Sequence, residues 1–361
     1  MIVADSVWWD GRMHIGVALG ASGVELGAAG VAPAAAGVAL GAENKLIPVA
    51  DIPAGTKLRR LPGTVLPGLC DAHVHSALVD LATVRAGGIA SVWDLGGVPA
   101  RVRALSERAA GRAVRSTLGP DDPGLPRIRY AGPFLIPPGG YPSDRAWASA
   151  GSWREVHSAA DAVDAVGEAH GQGATLIKVT AHADGPLLPA ATFTALVAAA
   201  HARGLPVVVH AEGPGTVGAA CDAGADLLAH TPWTEPVDDG LIRACAARMT
   251  WISTLDIHGW GRPTPERDTA IANLRRFREH GGAVRYGTDL GNGELPPAIN
   301  PRELRLLQEA GLTPTEILAA MTEPEHPQLS WIPGGLDLEP ATFADVLATA
   351  RVLGPEVRPR G

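Results

Sequence analysis

Between residues 64 and 311 the chain repeats one pattern eight times: a short run rich in Val, Ile and Leu, then a longer stretch whose apolar residues fall at helical spacing. Runs that are apolar on both faces suit strands covered on both sides, and their alternation with helices predicts parallel βα units. In chain order the runs are "GTVLPGLCDAHVHS", "IASVWDLGG", "RIRYAGPFLI", "TLIKVTAH", "PVVVHAEG", "LLAHTPW", "MTWISTLDIH" and "VRYGTDLG". Eight such units in about 250 residues predict an α/β protein built on a (β/α)8 TIM barrel.

Residues 1–63 and 332–361 fall outside this repeat and read as short strands and turns, around "VWWDGRMHIG", "KLIPVADIPAGTKLRRLPG" and "FADVLATARVL". They are expected to form a small β-sandwich contributed by both ends of the chain, leaving residues 64–331 as the barrel domain. The Ala/Gly-rich stretch 16–42 carries Glu25 and Pro33 and is too weakly apolar for a signal peptide or a membrane span. Short strands joined by glycine turns are expected there. In "TPTEILAAMTE", Thr313 and Glu316 stand three apart, the spacing of a capping box at a helix start.

The 30 Lys and Arg against 38 Asp and Glu give a formal charge of −8 with no basic run, which argues against an electrostatic footprint for nucleic acid. Three widely spaced cysteines, Cys70, Cys221 and Cys245, support neither a disulfide framework nor a cysteine metal knot. A small-molecule substrate in a reducing, cytoplasmic setting is expected, with no nucleic-acid or membrane partner. Homo-oligomerisation stays open.

Barrel active sites form at the C-terminal ends of the strands, and polar residues gather there. His73 and His75 end the first run, Lys178 lies in the fourth, His210 ends the fifth, His230 the sixth, and Asp289 the eighth. Residues two apart on a strand project from one face, so His73 and His75 can reach one ion together. Imidazole nitrogen and carboxylate oxygen suit Zn2+ and similar ions, and a set without thiolate leaves positions open for water, as catalytic sites do. Core packing gives no reason for charge at that face. His170, His201 and His280, on outer helices, carry no such signal. Lys178 inside "TLIKVT" either snorkels outward or has a function, because lysine avoids interiors.

Together these segments resemble the amidohydrolase superfamily, and within it the binuclear branch with Xaa-Pro dipeptidase-like, imidazolonepropionase-like and aryldialkyl-hydrolase-like members. "PGLCDAHVH" is similar to the family's opening "PGhxDxHxH", "IASVWDLGG" to its second strand, and "LIKV" to its lysine strand. "VVVHAEG", "LLAHTPW" and "YGTDLG" are similar to its fifth, sixth and eighth strands, and "FADVLAT" to its closing sandwich strand. The resemblance implies two divalent metal ions, Zn2+ with Mn2+ or Fe2+ as alternatives. His73, His75 and Asp289 would hold the more buried ion, His210 and His230 the more exposed one, and Lys178, carboxylated by CO2, would bridge them. Carboxylation needs a neutral amine, which burial beside cations favours. The resemblance also implies attack by a metal-bridging hydroxide on a substrate carbonyl, with Asp289 carrying the proton to the leaving group.

The chain also departs from that pattern. Where peptidase-like members have a Gly-Gly-His segment, "AGPFLIPPGGYP" places Tyr141 after Gly139 and Gly140; a phenol donates one hydrogen bond but is no cation near neutral pH. Glu212 replaces a histidine in "HAEG", and "HTPW" adds Trp233. With Trp147, Trp153, Trp251 and Trp260 also near strand ends, a flat or cyclic apolar substrate is expected. Tyr141, His182, Trp233 and His258 are the expected substrate contacts. Arg145, Arg154 and Arg262 lie in loops able to cover the mouth, while Asp71 and Asp94 should orient ligands or brace strands. The expected activity is hydrolysis of a C–N amide-type bond in a cyclic amide, small amide or acylated amino compound. Deamination, ester or lactone hydrolysis and dipeptide cleavage are the alternatives, and a non-catalytic binding role is the rival from another class.

Overall fold

The structure, a computed structural model, describes residues 2–19, 38–40, 46–48, 54–55, 59–114, 124–323 and 328–353. The glycine turns expected within 20–37 and the end of the chain, 354–361, lie outside the described residues. Strands β1 (Ile2–Trp9), β2 (Arg12–Leu19), β3 (Val38–Leu40), β4 (Leu46–Pro48) and β5 (Arg59–Pro67) come first. The repeat follows as β6 (Cys70–Val74), α1 (Leu81–Ala86), β7 (Ser91–Asp94), α2 (Pro99–Val114), β8 (Arg127–Tyr130), β9 (Phe134–Ile136), β10 (Trp153–Glu155) and α3 (Ala159–Gly171). It continues through β11 (Ile177–His182), α4 (Ala190–His201), β12 (Val207–Glu212), α5 (Thr216–Ala223), β13 (Leu227–Leu228), α6 (Asp239–Ala246), β14 (Thr250–Ile252), α7 (Pro265–Glu279), β15 (Ala283–Arg285) and α8 (Pro301–Glu309). Then come α9 (Pro314–Met321), β16 (Leu329–Ile332), α10 (Pro340–Leu347) and β17 (Arg351–Val352).

Each of the eight predicted pairs has a strand and a helix, and the strands lie parallel, but the third run, "RIRYAGPFLI", divides into β8 and β9 in different sheets. One sheet has seven strands in the order β10-β9-β11-β12-β13-β14-β15, another the three strands β6-β7-β8. Hydrogen bonds connect both edges of the three-stranded sheet to the seven-stranded one. Thr175 N donates to Tyr130 O at 2.9 Å, while Ala72 N donates to Tyr286 O at 3.0 Å and His75 N to Leu290 O at 2.8 Å. The result is a barrel-like α/β arrangement. Its strands divide their side chains by the period of two. Val207 and Val209 join the large cluster shared with the helices, whereas Leu176, Val208, Ala229 and Ile252 join a separate inner cluster.

The helices begin where the chemistry of their first turns dictates. Ser158, Asp238 and Thr264 accept hydrogen bonds from the first-turn N–H groups of α3, α6 and α7, and Thr313 with Glu316 forms the predicted capping box of α9.

The strands from the two ends of the chain form one seven-stranded mixed sheet, β17-β16-β5-β1-β2-β4-β3. Two expectations change here. The run "VLPGLCDAHVHS" is not one strand: β5 ends at Pro67 in the terminal sheet and β6 starts at Cys70 in the parallel one, with Pro67 and Gly68 at the break. The segment "FADVLAT", expected as a strand, lies mostly in helix α10, with Pro340 in its first turn and Phe343, Ala344 and Leu347 buried at helical spacing. Cys70, Cys221 and Cys245 are buried free thiols. No helix among the described residues is long and apolar enough to cross a membrane.

Candidate metal centre

Strand β6 aims the first two histidines through an irregularity. Cys70 and Ala72 belong to the inner cluster but Val74 packs outward, and the pairing register with β7 shifts between Asp71 and Val74. A bulge of this kind changes which residues face inward, and it turns His73 and His75 together toward the cavity. Asp71 holds the bend, its Oδ1 accepting from His73 N and Thr288 N at 3.0 Å each and its Oδ2 from Thr288 Oγ1 at 2.6 Å. Asp94 similarly accepts from Ser76 N at 2.8 Å and Gly96 N at 3.1 Å. Both carboxylates brace strands, as expected.

The two imidazoles are oriented from behind by backbone carbonyls. His73 Nδ1 lies 2.8 Å from Ala229 O and His75 Nδ1 3.1 Å from Gly96 O. A carbonyl can only accept, so each Nδ1 carries the hydrogen and each Nε2 of the neutral ring keeps a lone pair. Those two Nε2 atoms stand 3.0 and 3.1 Å from the same oxygen, Asp289 Oδ1. No hydrogen bond of good geometry reaches that buried oxygen. Three ligand atoms meeting at this distance could hold one cation, and a nitrogen/oxygen set without thiolate suits a divalent metal ion. The residues therefore fit the metal that the sequence implies.

Burial and the Asp289 charge act on these groups in opposite directions. Burial pushes His73 down to about 4 and His230 well below the usual histidine range. Burial acts on His75 too, but the Asp289 carboxylate outweighs it and the ring is raised. Asp289, despite its burial, is held far below the ordinary carboxylate value by His73 and His75. Its Oδ2 accepts from Asn292 Nδ2 at 2.9 Å.

Lys178 lies in β11 beside these groups, only 1% exposed. It lines the same cavity, so outward snorkelling does not occur. Desolvation lowers its pKa to about 7, with the Asp289 charge opposing the fall. An amine of that kind is largely neutral at mildly alkaline pH.

The remaining histidines stand opposite. His230 Nδ1 meets Thr254 Oγ1 at 2.9 Å, and the His230 ring lies 4.6 Å from that of His73 and 5.0 Å from that of His210. His210 Nε2 lies 2.8 Å from Glu212 Oε2, which leaves Nδ1 as the ring's other position for a ligand bond. Glu212 also approaches His182 Nδ1 at 3.0 Å. Among the described residues, two groups have ligand atoms close enough to hold an ion: His73, His75 and Asp289, and His182, His210 and Glu212. The second group keeps His210 of the expected pair but not His230, and adds the carboxylate of Glu212 and the imidazole of His182.

A cavity of about 370 Å³ opens above these side chains and is lined by His73, His75, Lys178, His210, His230 and Asp289, with Tyr141, Trp233 and His258 higher on the wall. His182 is not on that wall; it stacks against Tyr141 with ring centres 5.0 Å apart. Of the five tryptophans expected near the mouth, Trp147, Trp233 and Trp260 line it. Trp251 instead stacks on Phe277 at 3.8 Å between strand and helix, and Trp153 lies in β10. Arg154 is held by Asp161 and Glu168 and does not cover the mouth. Phe134, Leu78 and Ile257 add apolar surface that the sequence did not flag. Thr254 was missed altogether, and the threonine code alone holds no signal for it.

Comparison with solved structures follows from this geometry. The chain superposes on a Xaa-Pro dipeptidase with bound methionine at a TM-score of 0.69, with 17% identity over 97% of this chain and 96% of the other. It superposes on A. niger ochratoxinase at 0.71, with 16% identity over 98% and 94% of the two chains. An amidohydrolase matches at 0.64, with 20% identity over 86% and 92%. The chain shares their fold. No protein-family model matches the sequence, and no curated protein sequence matches it.

Proposed function

We infer that the protein is a metal-dependent hydrolase of a C–N amide-type bond. The convergence of His73 Nε2, His75 Nε2 and Asp289 Oδ1 on one point, next to buried Lys178, carries this inference. The fold behind it is a closed (β/α)8 barrel, supported by the hydrogen bonds from both edges of the three-stranded sheet. The terminal sheet belongs to its sandwich domain, supported by a third apolar cluster that includes Val7, Trp9, Leu61 and Val65 on that sheet.

In this proposal His73, His75 and Asp289 would hold one divalent cation and His210 and His230 a second, with Lys178, in carboxylated form, as a further ligand. Zn2+ suits such donors, with Mn2+ and Fe2+ as alternatives. Such cations, when bound, make water more acidic and polarise a carbonyl oxygen. Asp289 removes a proton from the attacking water and returns it to the leaving nitrogen, base and then acid. Tyr141, whose phenol burial keeps protonated, donates a hydrogen bond to the substrate. Carbonyls of Ala229 and Gly96 hold the two imidazoles in the required tautomer.

Replacement of Lys178 tests the proposal. Lys178→Ala should lose bound metal and amide hydrolysis together, and added short carboxylic acids should restore part of both. Full activity in Lys178→Ala would overturn the bridging role.

A further inference from the structure

The wall above the ligand cluster is unusually apolar at its mouth. Six large hydrophobic side chains are exposed among the described residues, and three of them, Leu78, Trp147 and Trp260, at 55%, 45% and 44%, stand on this cavity. Exposed apolar surface costs roughly 25 cal/mol per Å², and its concentration at one opening marks a contact for an apolar ligand. Further in, Trp147 and Phe134 stand edge to face with ring centres 6.2 Å apart, and Trp233 stacks on His258 at 4.8 Å.

Charge on the wall is confined to its floor. Lys178, Glu212 and Asp289 are the charged lining residues besides histidine, and all three belong to the ligand cluster. No arginine lines the cavity among the described residues. Arg145 reaches over the Tyr141 ring but pairs with Asp144 at 3.4 Å, and Arg262 lies in an adjoining hollow together with Glu294. A substrate carboxylate beside these rings would give up its hydration without a cation in exchange. His258 supplies a neutral polar contact instead. Its Nε2 is buried with no hydrogen-bond partner, and burial lowers its pKa to about 4, so the ring can give or take one hydrogen bond without charge.

We propose that the substrate is a neutral aromatic amide: a ring held on Trp147, Trp233 and Trp260, beside the uncharged His258 ring on the same wall, and no free carboxylate beside the scissile bond. This rests on the amide hydrolysis inferred above and names its substrate class. The reaction balances with water alone. The water oxygen bonds to the carbonyl carbon, the C–N bond breaks, and the water protons end on the released carboxylic acid and amine. A volume of about 370 Å³ lies at the small end of the range for small-molecule sites, which suits one ring system with its amide.

The test uses metal-loaded full-length protein and matched pairs of aryl amides, with and without a carboxylate on the carbon next to the amide nitrogen, alongside simple dipeptides. The neutral member of each pair should show a kcat/KM at least tenfold higher, and Trp260→Ala should shrink that ratio several-fold. Equal or better turnover of the carboxylates and dipeptides would overturn the proposal while leaving amide hydrolysis standing. Absence of all amide turnover would instead overturn the hydrolase inference. The substrate class is then read from binding of the neutral amide, followed by tryptophan fluorescence. Quenching at lower concentration by the neutral amide than by its carboxylate supports the class, and the reverse order refutes it.

Discussion

At the scale of single residues, Asp289 at a φ of 58° and Thr254 at 44° occupy the left-handed region. Aspartate visits that region readily, but a β-branched threonine does so only under strain, of order 1–3 kcal/mol. The fold holds Thr254 there at the point where its hydroxyl meets His230 Nδ1 at 2.9 Å. Thr254→Val keeps the shape and removes the hydroxyl, so metal affinity measured by chelator competition should fall about 10–100-fold. Thr254→Ser should retain most of it, and unchanged affinity in the valine variant would show that the hydroxyl does not orient the ring. The histidines and Asp289 were legible in the sequence because strand-end charge has no packing reason to exist. Thr254 was not, because its role depends on a backbone dihedral. Glu212 was visible as the replacement of a histidine in "HAEG", but its contact with both His210 and His182 needed coordinates.

At the scale of elements, the loop after β14 carries His258 and Trp260 and is tied down by α8. Glu303 accepts from Leu255 N at 3.0 Å and Asp256 N at 2.7 Å, and Asp256 in turn accepts from Asn300 Nδ2 at 2.8 Å and pairs with Arg302 at 2.8 Å. Burial raises Glu303 from an ordinary 4.5 to about 8. The folded protein therefore holds this proton more tightly than the unfolded chain does. That contribution is full below about 4.5 and is lost as pH rises toward 8. Relative to Glu303→Gln, the wild type should lose about 2–4 kcal/mol of stability between pH 5 and pH 8, read from denaturant unfolding of the metal-free protein. A gap that stays constant or widens with pH would contradict the assignment. The eight βα units were legible because doubly covered strands are apolar throughout. The bulge in β6 was not, since Cys70, Ala72, His73 and His75 look like one uninterrupted strand until register is known. Trp251 was misplaced for a related reason: its position near a strand end does not reveal that it faces Phe277 rather than the cavity.

At the scale of the whole molecule, ligands scattered from position 73 to position 289 of the chain meet on one cavity because parallel strands end together. Solved structures only 16–20% identical share this fold over most of their length, which shows that strand pattern rather than residue identity carries it. The proposed function depends on these converging side chains holding metal. Elemental analysis of protein purified with Zn2+ or Mn2+ and bicarbonate, run beside Lys178→Ala, measures this most directly. Two ions per wild-type chain, falling below one in the variant, is the predicted result; fewer than one per wild-type chain, or two in the variant, would contradict it.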